Sequence, residues 1–366
     1  MTIASSVSEP IRVIVVDDSA FMRRVLKDLL EAEGDIQVLT CVEGPNSARS
    51  AIRELNPDVV TLDVEMPGMN GIDFLEKIMT LRPTPVVMVS SLTTRGADCS
   101  LAALELGAID VVEKPVGTAG RSTFGARLVD AVKTASRSPI AREARTRKTG
   151  TPAPAKVSAP REHALEGSPS HEASLVLFGA STGGIAALSE VLGHFDRSAP
   201  PIVVAQHMPN TFITRLAKRL DDTLDLDVAV AQDDEVLGRG QIRFAPATAH
   251  VRLSGSSSAP KVELDRSSGP VSGHTPSVDV LFESSTQLSG GGIVAALLTG
   301  MGRDGAVGLL KLRNADAFCI AQDEDTSVVF GMPGAAIKVG APHAVLPIDQ
   351  IGPAVAQRFS NKGDFK

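Results

Sequence analysis

The 366-residue chain has no tryptophan and no tyrosine, so phenylalanine alone supplies its 3% aromatic content. A chain this poor in flat rings lacks the stacking platforms that hold single-stranded nucleic acid. Its cores must be built from aliphatic side chains. Cysteine is nearly as scarce. Cys41, Cys99 and Cys319 are far apart and odd in number, which excludes a disulfide framework and metal-type spacing and points to a reducing, cytoplasmic compartment. No apolar run reaches the roughly 18 residues of a membrane span, so no membrane insertion is expected. The polar start, Met1 to Pro10, has neither the basic head nor the apolar centre of a signal peptide. Positive charge is in deficit, with 36 Lys and Arg against 43 Asp and Glu, a net charge of -7. That balance argues against nucleic acid as a partner.

What is present is ordinary for a globular protein: 43% hydrophobic and 22% charged residues. The length suits two domains, each able to bury its own core. In residues 1–136, short β-branched runs alternate with amphipathic stretches. Strands are expected at Ile11–Val16, Ile36–Cys41, Asp58–Leu62, Pro85–Ser90 and Ile109–Val112, with helices between them such as Ala20–Glu33. That rhythm predicts a five-stranded, parallel, doubly wound α/β sheet of the flavodoxin-like kind. Residues 137–172 are rich in Pro, Ala, Ser, Thr and Gly, carry the basic group Arg142, Arg145, Arg147 and Lys148, and read as a flexible linker. Strand–helix alternation resumes over residues 173–360, predicting a second doubly wound α/β domain with a mainly parallel sheet. Its expected strands are Ser174–Phe178, Ile202–Ala205, Gln241–Phe244, Val251–Leu253, Ile293–Leu298 and Ala317–Ala321. Its expected helices are Ile185–Leu192, Thr211–Leu220, Val278–Leu288 and Gly305–Asn314. Val228 to Leu264 reads as shorter strands with a hairpin, and residues 361–366 as a disordered tail.

Two constellations carry chemistry. In the first domain Asp17 and Asp18 end the first expected strand and Asp63 ends the third. Carboxyl ends of parallel strands border one crevice, where such folds bind ligands. Crowded carboxylates need a cation, and hard oxygen ligands suit Mg²⁺. Ser90 ends the fourth strand and Lys114 follows the fifth, where they can meet a phosphoryl oxygen. Pro115 is expected to form a cis-type turn that aims the lysine inward. The set Asp17-Asp18-Ser19, Asp63 with Met66-Pro67-Gly68-Met69-Asn70-Gly71, Ser90 and Lys114-Pro115 resembles the response-regulator receiver domain. The resemblance implies that Asp63 accepts a phosphoryl group from a histidine kinase while Asp17 and Asp18 help hold Mg²⁺. Val111 stands where receivers usually carry an aromatic switch residue, so no aromatic-rotamer signal is expected.

In the second domain, Gly179-Ala180-Ser181-Thr182-Gly183-Gly184 follows a strand. A serine in such a turn exposes its hydroxyl, and the following amide can face an oxyanion. Serine needs a base, and the base needs an orienting group. His207 and Asp304 each stand just past a strand, as Ser181 does, so all three are expected on one rim of the sheet. The amides of Thr182 and Met301 are the oxyanion candidates. The order Ser, His, Asp differs from the α/β-hydrolase order. A dinucleotide reading of the glycine-rich turn lacks an acidic ribose partner. His274 is a competing base, assigned instead to shaping the site or capping the helix at Val278. Arg303 is a candidate for steering acidic surfaces, Met208 and Met301 for packing the walls, and His250 and His343 read as ordinary surface or half-buried residues.

Phe178–Gly184, Gln206–Pro209, His274–Phe282, Leu298–Gly305 and Val328–Gly334 together resemble the catalytic domain of the chemotaxis protein-glutamate methylesterase family. The resemblance implies a serine hydrolase activated by phosphorylation. It would release methanol from glutamate methyl esters on chemotaxis receptors and deamidate particular receptor glutamines, with no cofactor for the hydrolysis. The fusion suggests that the unphosphorylated first domain shields the rim holding Ser181. A receptor-docking module without activity, and a receiver with a DNA-binding output, are the rival readings. The acidic charge and the lack of a helix-turn-helix tail count against the second rival.

Overall fold

The computed structural model describes residues 9–66, 69–91, 94–115, 121–141, 144 and 173–359, with backbone alone at 94–98 and 121–123. The chain divides into two compact units, Met1–Lys156 and Val157–Lys366. Most of the expected linker, with its basic group, and the expected tail lie outside the described residues. Ser138 and Ala141, the first part of that linker, are buried.

In the first unit the strands are β1 (Ile11–Val16), β2 (Ile36–Val42), β3 (Val59–Asp63), β4 (Val86–Ser90) and β5 (Asp110–Glu113). They alternate with α1 (Ala20–Glu31), α2 (Pro45–Leu55), α3 (Gly71–Leu81), α4 (Thr94–Glu105) and α5 (Arg121–Ala135). The strands form one sheet in the order β2-β1-β3-β4-β5, and every pairing is parallel. β3 and β4 are buried along their whole length, because helices cover both faces of such a sheet and leave no solvent side for polar alternation. α1 begins where the Ser19 hydroxyl accepts a bond from the Met22 amide, and it buries Val25, Leu26 and Leu30.

The second unit contains β6 (Leu175–Ala180), β7 (Ile202–Gln206), β8 (Asp227–Val230), β9 (Gln241–Phe244), β10 (His250–Ser256), β11 (Ala259–Asp265), β12 (Ile293–Leu297), β13 (Phe318–Gln322) and β14 (Ala344–Leu346). Its helices are α6 (Gly184–Leu192), α7 (Asn210–Thr223), α8 (Val278–Ser285), α9 (Ala306–Asn314), α10 (Met332–Lys338) and α11 (Ile348–Ala356). Seven strands form a parallel sheet in the order β14-β13-β12-β6-β7-β9-β8, and β10 pairs with β11 as a separate antiparallel hairpin. On one face Leu175, Leu177, Ala295 and Leu297 share a core with Val278, Leu281 and Phe282 of α8, Leu309 and Leu312 of α9, and Val251, Leu253 and Val262 of the hairpin. On the other face Phe178 stacks on Phe195, which meets Phe359 edge-on. Each such fully buried side chain contributes roughly 1.5–3 kcal/mol of burial free energy.

The strands and helices expected from the sequence are present, with ends shifted by a few residues. The chain also contains β14, α10 and α11, which pattern alone did not separate. β14 is three residues long, and α10 opens with Met332-Pro333-Gly334, where proline is tolerated because a first-turn amide has no helical partner. α11 contains Pro353, yet it buries Ile351, Gly352 and Val355, so packing overrides the helix-breaking rule.

Candidate active site

In each sheet the order of connection reverses beside its first strand, leaving a crevice at the strand carboxyl ends. In the second unit β6 lies between β7 and β12. Ala180 at the end of β6 pairs with Gln206 at the end of β7, and the His207 amide donates to the Ala180 carbonyl at 3.1 Å. The loop leaving β12 returns to the same place, because the Ser181 amide donates to the Thr299 carbonyl at 3.0 Å. A side chain on Gly300 would put its Cβ 2.8 Å from Ser181 Cβ and 2.3 Å from Met332 Sδ. Only glycine lets the two loops close on each other there.

The imidazole and the carboxylate meet directly. His207 Nε2 donates to Asp304 Oδ2 at 2.8 Å, with the two side chains 7% and 1% exposed. Asp304 also accepts from Ser277 Oγ at 2.8 Å, the Val278 amide at 2.7 Å and the Asp279 amide at 3.1 Å. Two of these donors lie in the first turn of α8, where a helix favours negative charge. Burial pushes the Asp304 carboxyl up, but the His207 bond and charge, with the Val278 and Ser277 donors, outweigh it and hold the group at about 2. Burial and the nearby Asp304 charge push Asp279 the other way, to about 6, although the Gly308 amide donates to it.

Because Nε2 carries the proton given to Asp304, a neutral His207 keeps its lone pair on Nδ1. Nδ1 is buried and has no hydrogen-bond partner among the described residues. Ser181 is half-buried, and no described residue bonds its hydroxyl. The structure thus joins His207 to Asp304 and sets Ser181 on the adjoining strand end, without a bond between Ser181 and His207. Unliganded sites commonly leave such a contact open. The His274 ring lies face to face on His207, centroids 3.8 Å apart and 7° from parallel, which fixes the plane of the imidazole.

Several expectations need correction. His274 does not cap α8; Ser277 does, accepting from the Val280 amide. His250 is fully buried, with Nδ1 accepting from the Ser277 amide at 3.0 Å and Nε2 donating to the Gly269 carbonyl at 3.1 Å. His343 is half-buried, as expected. Met208 is half-buried and Met301 is 43% exposed. Arg303 is exposed. Sequence reasoning assigned no role to Ser277, Gln206, Thr299 or Met332. Ser277 had a readable signal as a serine before an apolar helix; the others had none, since their partners are distant in the chain.

In the first unit Lys114 Nζ lies 2.9 Å from Asp17 Oδ2 and 2.8 Å from Asp63 Oδ2. Burial raises Asp63, with the Asp17 charge adding to it and Lys114 opposing it. Burial works to lower Lys114, but its bonds to Asp63 and Asp17 prevail and raise it. Oxygen atoms of Asp17, Asp18 and Asp63 lie within 4.8 Å of one another, a hard all-oxygen donor set that fits Mg²⁺. Ser90 is buried at the end of β4, and its carbonyl accepts from the Lys114 amide at 2.7 Å. Val111 is buried on β5. The expected cis turn at Lys114-Pro115 is not formed: the cis peptide among the described residues is Thr275–Pro276. Pro67 and Gly68 lie outside the described residues.

The CheB methylesterase family model matches residues 176–355, and the response regulator receiver domain model matches residues 13–120. A protein-glutamate methylesterase/protein-glutamine glutaminase of Agrobacterium fabrum is 48% identical over 93% of this chain and 94% of its own. A protein of the same description from Caulobacter vibrioides is 44% identical over 94% of this chain and 97% of its own. Among solved structures, the Thermotoga maritima CheB methylesterase catalytic domain is 34% identical, with a TM-score of 0.48, covering 50% of this chain and 98% of that one. The response regulator domain of Thermotoga maritima CheB is 43% identical, with a TM-score of 0.33, covering 35% of this chain and 97% of that one. With near-full-length relatives at this identity and both domain models in sequence order, the chain belongs to the CheB methylesterase family, with a response regulator receiver domain at its amino-terminal end.

Proposed function

We propose that the chain is a phosphorylation-controlled serine hydrolase that removes methyl esters from glutamates of chemotaxis receptors and deamidates receptor glutamines. The observation that carries this reading is the buried 2.8 Å bond from His207 to Asp304 on the rim where Ser181 stands. Ser181 Oγ attacks the ester carbonyl carbon and His207 Nδ1 takes its proton. Asp304 holds Nε2–H and offsets the charge of the imidazolium. The amides of Thr182 and Met301 receive the oxyanion. His207 gives the proton to the departing methoxy oxygen, releasing methanol, or to the departing amide nitrogen, releasing ammonia. Water, deprotonated by the same nitrogen, then releases the glutamate carboxylate from Ser181.

In the first unit Asp63 is the phosphoryl acceptor, with a histidine kinase as donor. Asp17, Asp18 and Asp63 would hold Mg²⁺, which when bound offsets the negative charge of the phosphoryl oxygens. Lys114 and Ser90 contact those oxygens once Asp63 is modified. Residues 137–172 connect a receiver ending near 136 to a catalytic domain over 173–360. Among the described residues no helix is long and apolar enough to cross a membrane. Receptor, kinase and three free cysteines together suit the cytoplasm.

The test is methanol release from methylated receptor by the phosphorylated full-length chain. Ser181→Ala should abolish release while Asp63 still takes up phosphate. Near-normal release by that variant would reject the assignment.

A further inference from the structure

Gln206 ends β7 directly before His207, and its side chain is buried. Its amide Nε2 donates to the Ser181 carbonyl at 2.9 Å and to the His207 carbonyl at 3.2 Å. One NH₂ group therefore binds the backbones of both the serine and the histidine. Its Oε1 is buried without a hydrogen-bond partner among the described residues. A stranded acceptor typically costs about 1–3 kcal/mol, and an apolar side chain of similar size would not incur that cost. Turning the amide over would set Oε1 against two carbonyls. The sequence makes room for this arrangement: a Cβ on Gly184 would fall 2.1 Å from Gln206 Oε1.

The Ser181 carbonyl shares a planar trans peptide group with the Thr182 amide, so C=O and N–H point in opposite directions. That carbonyl accepts from Gln206 Nε2 and from the Gly184 amide at 2.8 Å, which occupies both of its lone pairs. The next peptide is held too, because Thr299 Oγ1 donates to the Thr182 carbonyl at 2.9 Å. The Thr182 N–H itself has no acceptor among the described residues.

We propose that Gln206 is a positioning residue that aims the Thr182 amide at the developing oxyanion and couples the nucleophile's loop to the base's strand. This rests on the reading of Ser181 as nucleophile and Thr182 as an oxyanion donor. Gln206 touches no reacting atom. It acts through the peptide between Ser181 and Thr182.

The test is Gln206→Met in the phosphorylated full-length chain, a substitution that keeps length and burial and removes both donors. Methanol release should show kcat lowered about tenfold to hundredfold, since small misplacements in a site can cost on the order of 10²-fold. KM should stay within about twofold, because ground-state binding does not use the aimed amide. Reaction of Ser181 with a fluorophosphonate, whose phosphonyl oxygen occupies the oxyanion position, should slow by the same factor while the melting temperature holds. A purely structural role would instead lower the melting temperature and the active fraction together, and that result overturns the proposal. Unchanged kcat with Ser181→Ala inactive also overturns it and leaves the functional reading intact; activity in Ser181→Ala overturns both. If the methionine variant does not fold, a crystal structure of the wild-type phosphonate adduct decides. The Thr182 nitrogen should lie within about 3.1 Å of the phosphonyl oxygen, with Gln206 still on the Ser181 carbonyl. A Thr182 amide turned elsewhere ends the proposal.

Discussion

The two units solve one problem twice, with opposite means. Each is a parallel sheet whose order of connection reverses beside its first strand, and each places a buried aspartate at the carboxyl end of a neighbouring strand. In the first unit Asp63 and Asp17 face each other and a lysine ammonium joins them. In the second, Asp304 is satisfied by one imidazole, one hydroxyl and two amides. The electrostatic results diverge. Burial raises Asp63, whereas hydrogen bonds hold Asp304 at about 2. An ammonium on a long side chain can turn toward a new anion, so the first crevice suits a group that must be modified and released. A carboxylate fixed by backbone amides cannot be drawn away, so the second suits a group that must stay charged through a catalytic cycle. The same topology supports a switch or a catalyst according to what satisfies its aspartate.

The largest expected effect that sharpens this contrast is Ser181→Ala. It should cost about 10⁶-fold in methanol release with phosphate uptake at Asp63 unchanged; a loss of uptake would show that the two crevices are not separable. Asp304→Asn should follow at about 10⁴-fold in kcat, because an amide can present the wrong group to His207 Nε2. Activity within tenfold of wild type would mean that the fixed carboxylate is not needed.

Smaller effects concern stability. Lys114→Met leaves Asp17 and Asp63 facing without their ammonium. In metal-free buffer at neutral pH the first unit should lose about 3 kcal/mol, read by chemical denaturation. Added Mg²⁺ should restore it, as should lowering the pH until one carboxyl is protonated. No recovery under either condition would break the account of that crevice. For Asp304 the folded-state value lies below the ordinary 3.8. The stabilisation it brings is therefore complete above about pH 4 and is lost as pH falls toward 2, about 2 kcal/mol in all. Denaturation of the second unit between pH 5 and 2 should show that fall, and Asp304→Asn should flatten it. An identical slope in the variant would mean that other carboxyls carry the acid sensitivity.

Much of this was legible in the chain. Ser181, His207 and Asp304 each follow an apolar strand run, and parallel strands put their carboxyl ends on one rim, so convergence could be argued before coordinates. Asp17, Asp63 and Lys114 follow by the same logic. Gln206 and Thr299 could not be read, because their partners lie across the sheet or across loops, at separations that no local pattern records. His250 read as a surface or half-buried residue, yet it is fully buried, because α8 packs against the strand that carries it. The capping role offered to His274 belongs to Ser277, three residues on, the residue directly before α8, whose hydroxyl accepts from the Val280 amide.

By itself the sequence determined the two doubly wound sheets, the rim on which each set of reactive residues stands, and the chemistry those residues offer. Apolar periodicity and strand-end position are local properties of a chain. Only the tertiary structure decided which imidazole nitrogen faces Asp304, which ring stacks on His207, and which side chains hold the Ser181–Thr182 peptide in place. Those are set by distances between segments far apart in the chain, and such distances exist only once the helices and the hairpin have packed onto the sheet.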